Sequence, residues 1–144
     1  MQTSSRLHPT RRSLLLLPIA AGAIFILAKS TRTSFDIRSL EVPEAKTLLD
    51  SGAVVVDVRD SEKYGFRHIV GSILLPLVVL RTGVPLTFAY AKTTPILVYC
   101  NDGVSHGPES TAILNKAGYV NAVNLTHGIE GWDAAGMPVV RQAG

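Results

Sequence analysis

Cysteine is nearly absent from the sequence: Cys100 is the only one in 144 residues. A single thiol excludes an intramolecular disulfide, so Cys100 is either a small buried side chain or a reactive group. The four histidines show no spacing typical of metal ligands, and with one cysteine beside them we predict no metal site. Internal repeats and low-complexity segments are also lacking, which fits one compact domain with an additional segment at one end.

Acidic residues are missing from the first 34 positions. That segment holds five of the 14 Lys and Arg, so residues 35–144 hold nine against all 11 Asp and Glu and carry a formal charge of −2. The net positive charge of the whole chain therefore comes from its amino-terminal segment. Because the remainder has no basic stripe, we predict no nucleic-acid partner.

Residues 1–28 differ in composition from the rest of the chain. Arg11 and Arg12 precede an uncharged run at residues 13–28, which Pro18 interrupts. The run is shorter than the ~20 residues of a comfortable membrane span, and it predicts a signal peptide or a membrane anchor. The arginine pair also resembles a twin-arginine export signal, and no clear cleavage site follows. We expect the domain to be exported or anchored, with the periplasmic side of the inner membrane favoured.

After a polar linker at residues 29–35, strand-like and helix-like segments alternate along the chain. Short apolar runs typical of strands buried in a parallel sheet occupy residues 53–58, 72–75, 96–99 and 121–125. Helices are predicted at residues 44–49, 60–66, 108–117 and 129–135, and a helix plus loop at 77–91. This alternation predicts an α/β sandwich around a parallel central sheet.

Cys100 directly follows one of these strands and precedes a short loop and a helix. It therefore lies at the carboxyl end of a parallel strand, where open α/β sheets bind ligands. The loop residues are Asn101, Asp102, Gly103, Val104, Ser105 and His106, and we expect their backbone N–H groups to form an anion-binding cradle at the helix start. A thiol in such a cradle is stabilised as a thiolate, which is the nucleophilic form.

Residues 36–141 resemble a rhodanese-like domain. The motifs that carry the resemblance occur in the family's order: VDVR at 56–59, HIVGSI at 68–73, LPL at 75–77, VYC at 98–100, AGY at 117–119, GIEGW at 128–132 and GMPV at 136–139. The resemblance implies a three-layer sandwich with a mostly parallel sheet, here preceded by an apolar amino-terminal helix. It also implies a sulfurtransferase in which Cys100 carries sulfane sulfur as a persulfide and residues 101–106 hold the terminal sulfur. A small-molecule donor and a thiol or other acceptor are the implied partners, with the membrane a further contact if residues 1–28 are uncleaved. No cofactor is implied.

The loop departs from the family pattern. Many members read Cys-x-x-Gly-x-Arg-Ser, whereas here no arginine is present, Asp102 adds a negative charge, and the spacing to Gly118 is one residue longer. Two alternatives therefore stay open. One is a catalytically silent module that binds a partner or senses redox state through an exposed thiol. The other is a phosphatase or arsenate reductase, although the position of the phosphatase arginine holds His106.

Other polar residues receive structural interpretations. We expect an ion pair or a helix cap at Asp57 and Arg59, and a backbone hydrogen bond from the ring of His68. His127 is expected to be structural, and Trp132 to belong to the core. His106 is either a donor to substrate or a solvated loop residue.

Overall fold

The computed structural model describes residues 34–143. A five-stranded sheet forms its centre, in the order β1-β6-β5-β2-β4, and every pair of neighbouring strands is parallel. The strands are β1 (Ser39–Leu40), β2 (Val54–Asp57), β4 (Ile73–Leu74), β5 (Ile96–Tyr99) and β6 (Ala122–Leu125). The prediction of an α/β sandwich with a mostly parallel sheet is confirmed.

Each face of the sheet has its own hydrophobic core, because side chains alternate between the faces along a strand. On one face, Ile96 and Val98 of β5 pack with Leu114 of α4 (Gly107–Lys116) and with Leu80 of α3 (Leu77–Leu80). On the other face, Leu97 and Tyr99 pack with Ala45 of α1 (Val42–Asp50) and with Trp132 of α5 (Gly128–Ala134). The helices therefore form two outer layers, as the resemblance implied, and Trp132 is a core residue.

Helix boundaries follow the start and stop signals in the sequence. Asp60 caps α2 (Ser61–Phe66) by accepting a hydrogen bond from the Lys63 amide at 2.8 Å. Hydrogen bonds from the Lys63 ammonium and from this amide lower the pKa of the Asp60 carboxyl to about 2. Pro108 lies in the first turn of α4, and Gly118, with φ of 98°, follows its end.

A two-stranded antiparallel ribbon was not predicted. It pairs β3 (Arg67–Ile69) with β7 (Val139–Arg141), and both strands are only three residues long. Their pairing joins segments about 70 residues apart, and Asp133 strengthens it by accepting hydrogen bonds from Arg67 and Arg141. Such a contact leaves no periodic pattern in either segment.

The predicted leader, residues 1–28, and most of the predicted linker lie outside the described residues. Between residues 34 and 143, no helix has the length and apolar character needed to cross a membrane.

Candidate active site

Cys100 lies at the carboxyl edge of the central sheet, directly after the central strand β5. Tyr99 precedes it at the end of β5 and pairs in register with Asp57, which ends β2 at the same edge. Cys100 has 0% exposed surface, so a donor reaches the sulfur only after neighbouring groups move aside. The exposed thiol that redox sensing would require is therefore not found.

The sulfur faces the loop that follows it. Its Sγ lies 3.4 Å from Oδ1 of Asp102, to which the thiol donates, and 3.6 Å from the hydroxyl of Ser105. The sequence led us to expect backbone amides around the sulfur. In the structure, the amides of Val104 and Ser105 both donate to Oδ1 of Asp102 at 2.9 Å. A carboxylate therefore occupies the inner side of the loop where the sequence predicted free N–H groups.

The Asp102 carboxylate is held in its ionised form. Partial burial by itself would raise its pKa, but the hydrogen bonds from Val104, Ser105 and the Cys100 thiol lower that pKa well below its usual value of 3.8. The donor groups compensate the charge with their partial positive ends. The loop thus carries a fixed negative charge next to the sulfur.

The far side of the loop is fixed by the start of α5. The amides of Ile129 and Glu130 donate to the carbonyl oxygens of Cys100 and Asn101 at 2.9 and 3.0 Å. Gly103 adopts φ of 76°, and a Cβ atom there would lie 2.5 Å from the backbone nitrogen of His127. Only glycine fits this position. Residues 128–132, one of the motifs that carry the family resemblance, hold the cysteine loop through the amides of Ile129 and Glu130.

Gly107, the first residue of α4, leaves space for two groups of the site. A Cβ atom there would lie 3.4 Å from Sγ of Cys100 and would overlap Oδ1 of Asn124. Asn124 is 2% exposed, and its Nδ2 donates to Ser39 and to the carbonyl of Gly103. Its Oδ1 is buried, and within residues 34–143 no group donates to it. Asn124 thus has an unpaired buried acceptor near the sulfur.

A buried ion pair supports the loop from the β2 side. Arg59 binds the Asp57 carboxylate, with Nη2 2.6 Å from Oδ2, and donates through Nη1 to Oδ1 of Asn101 at 3.1 Å. It also donates to the carbonyl of Arg67 at 2.6 Å and lies 5.5 Å from the centre of the Tyr99 ring. The ion-pair prediction is confirmed, and Arg59 further connects that pair to the residue after Cys100.

His106 lies at the outer side of the loop and is exposed. It lines a small cavity of about 170 Å³ together with Arg59, Val78 and Arg81. Arg81 is tied to Glu109 of α4 by two hydrogen bonds of 2.7 Å, one to each carboxylate oxygen. A second cavity, of about 480 Å³, lies beside Asn101 and is lined by Arg59, Lys63, Phe66 and Glu130, among others.

The predicted site residues do not all surround the sulfur. Asp102 and Ser105 contact it, whereas Asn101 turns toward Arg59, the Val104 side chain is 67% exposed, and His106 faces the small cavity. The sequence did not single out Asn124 or Arg81. An asparagine inside an otherwise apolar strand was the one available signal for the former, and nothing marked the latter.

The remaining polar residues have structural contacts. The Nδ1 atom of His68 lies 2.8 Å from the carbonyl of Tyr64, and the two rings stack. His127 adopts φ of 62° immediately before α5, where it shapes the turn under the cysteine loop. Within the part of the chain that the structure describes, no three His, Cys, Asp or Glu side chains converge to hold a metal ion.

Comparison with known proteins agrees with this fold. A sequence profile described as "Rhodanese-like domain" matches residues 41–135. A probable adenylyltransferase/sulfurtransferase from Mycobacterium tuberculosis, MoeZ, is 36% identical over 91 residues, which cover 62% of this chain and 23% of MoeZ. This chain therefore spans about a quarter of that relative's length.

Two further similarities extend over most of the compared proteins. Thiosulfate sulfurtransferase GlpE from Haemophilus influenzae is 27% identical over 96 residues, which are 67% of this chain and 88% of GlpE. The crystal structure of a rhodanese-related protein from Thermoplasma volcanium superposes with a TM-score of 0.63 at 26% identity, covering 73% of this chain and 99% of that one. With its profile match over more than half of its length, this chain belongs to the rhodanese-like domain family.

Proposed function

We propose that the protein is a sulfurtransferase that carries sulfane sulfur as a persulfide on Cys100. The observation that carries the proposal is the placement of the only thiol at the carboxyl end of the central strand, with Sγ directed into the loop of residues 101–106. The sulfurtransferase names of MoeZ and GlpE support the same reaction class.

The reaction consists of two displacements at sulfur. The Cys100 thiolate attacks the sulfane sulfur of a donor, and the bond to the donor's leaving group breaks; with a persulfide R–S–SH, the products are Cys–S–SH and R–S⁻. An acceptor thiolate then attacks the outer sulfur, leaves as a persulfide, and regenerates the Cys100 thiolate. No electrons are gained or lost overall, so the reaction needs no redox cofactor. Each displacement uses the same nucleophile and the same loop.

Steady-state kinetics on the full chain test the proposal. With a sulfane-sulfur donor and cyanide as acceptor, thiocyanate should form with the parallel double-reciprocal plots of a two-displacement mechanism. The matched control is Cys100→Ser, which keeps the size and the hydrogen-bonding capacity of the side chain and should form no thiocyanate above the uncatalysed rate. Equal turnover by both proteins would refute a role for Cys100.

A non-catalytic binding module is the second candidate. The complete burial of Cys100 and the occupation of two loop amides by Asp102 favour it, because both oppose the entry of a donor. In that case the folded protein should neither take up sulfur from any donor nor react with a small alkylating agent, whereas the unfolded chain should react. Sulfur uptake by the folded wild type would exclude this candidate.

A further inference from the structure

We infer that Asp102 determines the donor preference of the site, by occupying with its own carboxylate the amide groups that an oxyanion donor would use. The inference rests on the proposed sulfurtransferase function and adds the class of donor. The site favours persulfides and disfavours thiosulfate.

The carboxylate of Asp102 occupies the hydrogen-bond donors of the loop. Its Oδ1 accepts from the Val104 amide, the Ser105 amide and the Ser105 hydroxyl, each at 2.9 Å, and lies 3.4 Å from the sulfur of Cys100. A carboxylate and a sulfonate compete for the same kind of donors, namely backbone N–H groups and hydroxyls. An incoming oxyanion therefore has to displace a bound carboxylate and remain next to its charge.

Asn124 gives independent support from the β6 side of the site. Its Oδ1 is buried, and no group among residues 34–143 donates to it. A Cβ atom at Gly107 would meet both this oxygen and Sγ of Cys100, so the two atoms lie near each other. A buried acceptor without a donor is costly, and a ligand that brings a hydrogen would satisfy it. Asp102 and Asn124 thus both place acceptor oxygens near the sulfur, which suit a group ending in S–H.

The arginines near the loop do not offset this charge. Arg59 is bound to Asp57, and Arg81 donates to both carboxylate oxygens of Glu109. Each guanidinium is therefore already paired with a carboxylate.

The two donors differ in their negative charge and in whether they can donate a hydrogen bond. Thiosulfate carries two negative charges and offers only acceptors; its reaction gives Cys–S–S⁻ and sulfite, with the charge conserved. A persulfide carries at most one negative charge at its sulfane group, and its protonated form offers an S–H to Oδ1 of Asp102 or Asn124. Like charges this close repel each other even at the dielectric of a protein surface, which favours the donor with fewer negative charges.

The experiment measures kcat/KM for thiosulfate and for glutathione persulfide, with cyanide as acceptor, in the wild type, Asp102→Asn and Asp50→Asn. Asparagine keeps an oxygen acceptor for the loop amides and removes the charge. Asp50 lies at the end of α1, pairs with Lys46 and controls for the change in net charge. We expect the wild type to prefer the persulfide, and Asp102→Asn to raise the ratio of kcat/KM for thiosulfate to kcat/KM for the persulfide about tenfold or more. Asp50→Asn should match the wild type.

Three results would overturn the inference. One is wild-type activity with both donors in Asp102→Asn, which leaves their ratio unchanged; another is an equal loss with both donors, which would assign Asp102 a purely structural role. Should Asp102→Asn fold poorly, Asp102→Ser, which also removes the charge, must show the same shift in the ratio. The third is the absence of thiocyanate with both donors in every variant, which would refute the proposed function and the inference together.

Discussion

The guanidinium of Arg59 donates to Oδ1 of Asn101 at 3.1 Å and thereby joins a buried ion pair to the residue that follows Cys100. Arg59 and Asp57 are 4% and 0% exposed. The same guanidinium also binds the carbonyl of Arg67 on the β3–β7 ribbon. One side chain thus connects the central sheet, the ribbon and the cysteine loop.

Replacing Arg59 should therefore affect both stability and activity. Arg59→Met leaves the Asp57 carboxylate buried without its partner, which we expect to lower the free energy of unfolding by about 3 to 5 kcal/mol. Urea unfolding followed by circular dichroism measures this loss. Lys63→Met, which removes an exposed cation that pairs with Asp60, is the matched control and should cost less than about 1 kcal/mol. Equal losses in the two variants would contradict a structural role for the buried pair.

Gly107 should tolerate no side chain. In Gly107→Ala, the new methyl group overlaps Oδ1 of Asn124 and comes into contact with the Cys100 sulfur, so we expect a loss of sulfur transfer together with a lower melting temperature. The control is Gly65→Ala in α2, where a Cβ atom would meet nothing within 4 Å. Because alanine favours helix over glycine, that variant should gain about 0.5 to 1 kcal/mol. Full activity of Gly107→Ala would show that Asn124 and the sulfur move aside at no cost.

Tyr99 connects the central sheet to β3 and to the segment that follows β3. Its hydroxyl accepts a hydrogen bond from the Ile69 amide at 3.1 Å and lies 3.0 Å from the hydroxyl of Ser72. Tyr99→Phe leaves a buried amide unpaired, at a cost of about 1 to 3 kcal/mol in the free energy of unfolding. Tyr90→Phe, on an exposed residue, should cost almost nothing.

The same tyrosine gives stability a dependence on alkaline pH. Burial, followed by the charge of Asp57, raises the pKa of the Tyr99 phenol well above its usual value of 10.0. The folded state then holds the proton more tightly than the unfolded chain, so stability is complete below about pH 10 and declines as the pH rises further. The decline should be steeper in the wild type than in Tyr99→Phe. Parallel curves for the two proteins would contradict this assignment.

Asp102 should make stability depend on pH in the opposite sense at acidic pH, where stability falls as the pH falls. Despite its partial burial, hydrogen bonds from the Val104 and Ser105 amides lower the pKa of the folded-state carboxyl below its usual 3.8. Its contribution to stability is therefore complete above the unfolded-state value and is lost as the pH falls below about 4. The difference in melting temperature between the wild type and Asp102→Asn should shrink over that range. A difference independent of pH would mean that the charge contributes nothing to the loop.

Strong local patterns made most of the fold predictable. The apolar runs of β2, β5 and β6 and the proline and glycine that bound α4 each specify their element within a short segment, which is why Cys100 could be placed at a strand end. The β3–β7 ribbon depends instead on a pairing between distant segments. The position of the Asp102 carboxylate was also not predictable, because it follows from the backbone path of a short turn.

The most direct test of the account is the intact mass of the full chain after incubation with glutathione persulfide or thiosulfate. We predict that the wild type gains the mass of one sulfur atom, that the addition maps to the peptide containing Cys100, and that cyanide removes it as thiocyanate. Cys100→Ser should gain nothing. A wild type that gains no sulfur from either donor, or a Cys100→Ser variant that gains as much as the wild type, would contradict the central claim that this one buried thiol carries sulfur.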